Sequence, residues 1–211
     1  MAVSSLTRMT VPLASDQSQS TQGLLMPKLK YRFRVIFENF GVSTPRTELT
    51  KQVMDFTRPQ VSFEEMTIPI YNSTIKLAGK YSWGDITCNL RDDASGAVSK
   101  LVGEQLQKQL DFAEQASAAS GIDYKFVTQF QVLDGGNGTN APQVLETWEL
   151  YGCFLQNVVY GALNYGTSDA VTIALTLRYD NAIQSPLASG VGASVGRAFG
   201  GTAVTGIGTS R

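Results

Sequence analysis

A chain of 211 residues has room for one large β domain, or for one domain with extensions. Only 17% of the residues are charged, against roughly 25% in an ordinary soluble domain; the net charge of −1 excludes a basic nucleic-acid binder held by phosphate neutralisation. Histidine is absent, which excludes a Ser-His-Asp triad, a Cys-His dyad and a His-ligated metal site within this chain.

The composition divides the chain into an N-terminal arm (1–27), a β domain (28–183) and a Gly/Ala/Ser-rich C-terminal extension (184–211). The arm is rich in Ser, Thr and Gln and lacks the basic start and apolar run of a signal peptide. No apolar run approaches the ~20 residues of a membrane-spanning helix, so a soluble compartment is expected. In Lys30–Phe37, Tyr31, Phe33, Val35 and Phe37 alternate with Lys30, Arg32, Arg34 and Ile36, which is the period of a strand. The basic run Lys28, Lys30, Arg32 and Arg34 would suit phosphate, and equally an acidic neighbour or a blunted strand edge.

Shorter strands are predicted over Ser62–Ile70, Thr74–Ala78 and Ser82–Leu90, with breaks at Arg58-Pro59 and Asn72-Ser73. One helix is predicted over Ala94–Ala119, where Val98, Val102, Leu106, Leu110 and Ala113 form an apolar stripe. Asp92 or Asp93 would cap its start and Gly121 would stop it. Tyr124–Leu133 and Val171–Tyr179 alternate again. Val144–Val159 reads as one long strand with a bend or bulge at Gly152. Turn chemistry separates these at 134–138 and 166–169. The predicted fold is mainly β, an antiparallel barrel or two-layer sandwich with one flanking helix and extended terminal arms. In the tail, Leu187, Val191, Val195, Phe199, Val204 and Ile207 are too sparse to make a core, and they are expected to lie against other copies or another protein.

The residue types that carry chemistry do not converge. Cys88 and Cys153 are too few for a zinc site and read as small buried apolar residues. Gly190, Gly192 and Gly196 are one residue too widely spaced for a dinucleotide loop. Glu64 and Glu65, adjacent on a strand, point to opposite faces and cannot form a glycosidase pair. Asp92 and Asp93 are more simply helix-capping residues. Trp83 and Trp148 lie in alternating strands, which suits packing better than an exposed stacking platform. No cofactor and no metal are expected.

Three segments in order are familiar. One is P-x-x-x-x-E-x-x-x-I-P from Pro59 through Glu64 to Ile68-Pro69; the next is N-x-x-I-x-x-A-G from Asn72 to Gly79; the last is the final strand from Thr172 to Tyr179. With the opening Met26–Phe37 and Trp148–Phe154, the chain resembles, over about residues 28–182, the tail tube protein family of contractile-tailed bacteriophages. That resemblance implies a non-enzymatic virion subunit. Six copies would form a ring, and rings would stack into a hollow tube inside a contractile sheath, assembled in the host cytoplasm. The partners implied are further copies, the tail sheath, baseplate and tail terminator proteins. Phage DNA would pass through the lumen without specific binding, in keeping with the absence of net basic charge. The long N-terminal arm, the Phe40–Gln52 segment and the tail depart from the family pattern.

On this reading, ring contacts are expected in Phe40–Gln52, in the Pro59–Gly79 hairpin and at both termini, with Arg46, Glu48, Lys51, Arg58, Glu64, Glu65, Asn72, Lys76 and Lys80 as interface residues. Strands Thr74–Ala78, Ser82–Leu90 and Val171–Tyr179 are expected to pair with neighbours in the wall. Rival readings are a tube subunit of a contractile secretion or toxin particle, a glycan-binding β-sandwich presenting Trp83 or Trp148, and a hydrolase, which the missing histidine disfavours.

Overall fold

The computed structural model describes residues 28–43, 47–134, 141–185, 191, 197–199 and 202–204. The expectations for the N-terminal arm and for most of the tail lie outside the described residues. Residues 28–32 belong to a unit separate from the one that begins at Phe33. Within them the Arg32 guanidinium lies 5.5 Å from the centre of the Tyr31 ring.

From Phe33 the elements run β1 (Phe33–Glu38), α1 (Thr47–Gln52), β2 (Val53–Phe56), β3 (Val61–Ile70), β4 (Ser73–Trp83), β5 (Ile86–Arg91), α2 (Ala97–Gln109), β6 (Leu110–Asp111), β7 (Ala116–Ser117), α3 (Gly121–Tyr124), β8 (Phe126–Leu133), β9 (Val144–Tyr160), β10 (Thr172–Arg178), β11 (Asn181–Ser185), β12 (Arg197–Phe199) and β13 (Thr202–Val204). The fold is mainly β and its strand pairs are antiparallel, as the sequence predicts.

Seven strands form one sheet in the order β1-β8-β9-β10-β5-β2, with β11 also beside β9. The first part of β9 pairs with β8 and β11, and its second part pairs with β10. Gly152 sits between these parts at φ +67°, a conformation that favours glycine. A Cβ there would fall 2.1 Å from the Asp180 carboxylate, so both backbone and space require glycine. The bend brings the two halves of the sheet face to face. Phe56 of β2 stacks on Phe130 of β8, ring centres 5.3 Å apart and 11° from parallel. Alternation places Val35, Phe37, Phe126, Phe130, Trp148 and Leu150 inward from one layer, and Ile86, Cys88, Leu90, Ile173, Leu175 and Leu177 inward from the other. Helix α2 flanks this core with Val98, Leu101 and Val102.

The helix is shorter than its apolar spacing predicts. It ends at Gln109, and Leu110 already lies in a strand. The Asp111 carboxylate accepts the backbone N–H groups of Ala113 (2.9 Å) and Glu114 (3.4 Å), which turns the chain back as β6–β7. At the other end Gly96 occupies the N-cap position at φ +67° without a side-chain cap. Asp93 still accepts the Ala97 N–H at 3.0 Å, from outside the helix. Gly121, expected as the stop, opens α3, which Ser120 and Asp123 cap reciprocally. Within Phe40–Gln52, Phe40 and Leu49 are buried and residues 47–52 are helical. No helix among the described residues is long and apolar enough to cross a membrane.

Candidate assembly surface

Strands β3 and β4 form a hairpin that joins no other strand among the described residues. A two-residue turn, Tyr71-Asn72, connects them, with Tyr71 at φ +37° and wholly exposed. Every residue of β3 is exposed, and in β4 only Gly79 and Trp83 are partly covered. At ~3.3 Å per residue the ribbon is roughly 30 Å long. A lone two-stranded ribbon is at best marginally stable in water, and among the described residues nothing but Gly79 and Trp83 of this one is even partly covered.

The side-chain pattern gives the ribbon two characters. Pairing runs Val61 opposite Trp83 and Phe63 opposite Tyr81, then shifts so that Glu65 opposes Ala78 and Ile70 opposes Ser73. The extra residue lies in β4 at Gly79-Lys80, where a Cβ on Gly79 would come within 3.0 Å of the Glu64 carbonyl oxygen. Beyond this bulge, Met66, Ile68, Ile70, Ile75 and Leu77 share one face, each 40–52% exposed. The opposite face carries Glu65, Thr67, Thr74 and Lys76, with Lys76 Nζ 3.0 Å from Glu65. At the base the sides exchange: Val61, Phe63, Tyr81 and Trp83 share the face of Glu65, while Ser62 and Ser82 meet on the other, their hydroxyls 2.8 Å apart.

Two contacts fix the base to the domain. Trp83 packs on Tyr179 with ring centres 5.6 Å apart. Arg58 Nη2 donates to the buried Glu146 carboxylate at 2.7 Å, which also accepts Trp148 Nε1 (2.6 Å) and Gln184 Nε2 (2.9 Å). A buried carboxylate is tolerable only when paired and hydrogen-bonded in this way. The hairpin leaves the domain beside Phe56 and Ile86. The 161–171 loop lies at the other end of the same strands, where Arg91 pairs with Thr172. That loop exposes Leu163 and Tyr165. Exposed apolar groups therefore stand at both ends of this layer.

Of the sequence-derived interface residues, Glu64, Glu65, Asn72, Lys76 and Lys80 gather on the hairpin and are exposed. Lys51 is exposed on α1. Arg58 serves the Glu146 cluster. Arg46, and the side chain of Glu48, lie outside the described residues. The expected wall strands need correcting. Both edges of β5 are taken, by β10 and β2, and both edges of β10, by β9 and β5, so the β5 part of Ser82–Leu90 and the β10 part of Val171–Tyr179 have no free edge to offer, while Ser82 and Trp83 belong to the hairpin. Thr74–Ala78 lies in the hairpin. Among the described residues the sheet path ends on β1 and β2. Trp148 is 8% exposed and Trp83 half-buried, which leaves no aromatic platform at either. Burial pushes the Cys88 thiol up to about 12 and Cys153 to about 11, so both are packing residues rather than nucleophiles. Among the described residues no three His, Cys, Asp or Glu side chains cluster as metal ligands would.

No protein-family model and no curated protein matches the chain. Solved structures do. A chain from the sheath/tube terminator of the extracellular contractile injection system PVC, in its extended state, superposes with a TM-score of 0.57 at 13% identity, over 77% of this chain and 99% of that one. A chain from the anti-feeding prophage tube-terminating cap gives 0.56 at 12%, over 77% and 93%. One from the 6-fold symmetrised anti-feeding prophage baseplate gives 0.56 at 14%, over 76% and 97%. The fold is one found in contractile injection systems. At such identities the likeness concerns the backbone alone.

Sequence reasoning placed the hairpin but missed Gln105, the residue that ties α2 to two loops. A polar residue inside an apolar helical stripe was the signal for it.

Proposed function

We propose that this chain is the structural subunit of the tube of a contractile-tailed phage, with no catalytic site of its own. Six copies close a ring, and rings stack into a hollow cylinder inside a sheath. Baseplate and terminator proteins bound its ends, and DNA passes through without being gripped. The observation that carries this reading is the unpartnered apolar hairpin on a fold found in contractile particles. Exposed apolar groups at opposite ends of one layer also suit head-to-tail contact, which propagates instead of closing on a pair. The virion tail is the location that follows. A tube subunit of a secretion or toxin particle is the second reading, favoured by the PVC and anti-feeding prophage likenesses. Genes for capsid and terminase beside this one would select the phage.

Negative-stain imaging of the purified full-length protein tests the assembly itself. Rings or tubes are expected. Dispersed single particles at high concentration, with one-subunit mass by light scattering, would refute the proposal.

A further inference from the structure

We infer that Glu146 straps the segment leading into β3 to the root of the C-terminal extension, so that a disturbance at either one loosens the other. The inference is independent of the tube reading and concerns the single chain. Alternation along β9 puts Glu146 on the inward side with Trp148 and Leu150, where an apolar residue is expected. It is 4% exposed. An acid in such a position persists only through the groups that pair with it. Three donors meet at one oxygen, Oε1: Arg58 Nη2 at 2.7 Å, Trp148 Nε1 at 2.6 Å and Gln184 Nε2 at 2.9 Å. Trp148 lies on the same strand as the acid. The other two come from segments far apart in sequence: Arg58 stands between β2 and β3, and Gln184 lies in β11.

Each of these two donors belongs to a small hydrogen-bonded structure of its own. On either side of Arg58, the Thr57 N–H donates to the Thr87 carbonyl at 2.9 Å and the Gln60 carbonyl accepts the Gly84 N–H at 2.8 Å. At the other end, the Gln184 N–H donates to the Val191 carbonyl at 2.8 Å, and Gln184 Oε1 accepts the Val191 N–H at 3.4 Å. The side-chain amide of Gln184 thus reaches from Val191 of the extension to the buried acid. The Arg58 side chain is 60% exposed, and an ion pair so exposed gains little unless its partner is already held in place. Trp148 and Gln184 hold it. Without the Gln184 amide the carboxylate lacks a donor and is free to turn, and Arg58 loses a fixed acceptor. Without Arg58 the buried charge is uncompensated and is drawn towards water, away from Gln184. By linkage the coupling is the same in both directions.

Hydrogen exchange on the full chain reads both ends. The Thr57 and Gly84 amides report the segment around Arg58, the amide of residue 184 reports the root of the extension, and the amides of the central strand β10 report global stability. Gln184→Leu is expected to speed exchange at Thr57 and Gly84, and Arg58→Leu at residue 184. Each effect should be roughly three- to tenfold relative to β10, the loss of about one hydrogen bond, and the two should match in size. Glu146→Leu exchanges the acid for an apolar residue of similar volume. It should loosen both ends, and in its background neither of the other substitutions should act at the far one. Should Arg58→Leu alone unfold the chain through its stranded charge, Gln184→Leu and the Glu146→Leu pairings still read the strap. Thr57 and Gly84 amides unmoved by Gln184→Leu, or far effects that persist without the carboxylate, would overturn the inference.

Discussion

Gln105 joins three segments from inside the core. It is fully buried; its Oε1 accepts the Gly41 N–H at 3.0 Å, and its Nε2 donates to the Tyr124 carbonyl at 2.6 Å. A Gln105→Leu substitution keeps much of the volume but strands two backbone groups, each worth about 1–3 kcal/mol when unpaired and buried. A loss of about 2–4 kcal/mol is expected, read as a lower urea midpoint at unchanged slope. Its neighbour Glu104 holds the same stretch by charge. Its carboxylate accepts the Ser43 hydroxyl (2.5 Å) and the N–H groups of Ser43 (2.7 Å) and Val42 (2.8 Å). These bonds, the Ser43 hydroxyl foremost, bring its pKa down to about 2 from 4.5. A depressed carboxylate pKa stabilises the fold fully above the unfolded value and loses that contribution as pH falls through the folded one. The stability gap between wild type and Glu104→Gln should thus be constant above about pH 5 and shrink between pH 4.5 and 2. A gap that stayed constant down to pH 2 would mean that this carboxylate does not titrate as its contacts require.

Among the elements, β9 decides the architecture, because its bend at Gly152 turns one sheet into two facing layers. Gly152→Ala would force a side chain into the left-handed region and against Asp180, which is held by Lys125 at 2.6 Å. The expected cost is about 2–4 kcal/mol, measured by denaturant unfolding; a cost below about 0.5 kcal/mol would show that the bend relaxes without glycine. This bend was legible because a glycine interrupts a long alternating run. The change of apolar side at Glu64-Glu65 was not read from the sequence, although alternation is a local property and the apolar residues Phe63 and Met66 stand three apart there. Nor was the end of α2: the apolar spacing continues through Leu110 and Ala113, and only the Asp111 turn overrides it. Strand order escaped for a different reason. Which strands pair depends on contacts distant in sequence and on burial. Strands β5 and β10 alternate as cleanly as edge strands do, yet both are central. The exposure of both hairpin faces was equally hidden, because an alternating strand reads the same whether its apolar side is covered at home or by a neighbour.

At the scale of the whole molecule, the question is which force assembles it. The hairpin's ion pair Glu65–Lys76 has both side chains more than half exposed. Exposed pairs of this kind contribute ~0–1 kcal/mol and are screened by salt. The apolar strip on the reverse side is insensitive to screening, strengthens on warming from the cold, and is favoured by excluded salts such as sulfate. With a net charge of −1 on the full chain, copies also repel one another little. Tubes should therefore form equally at low salt and at about 1 M sodium chloride, increase with ammonium sulfate, and recede on chilling. Turbidity, with sedimentation of the polymer, reads all three. Dissolution by sodium chloride alone would assign the contact to Glu64, Glu65, Lys76 and Lys80, and would take assembly away from Met66, Ile68, Ile70, Ile75 and Leu77.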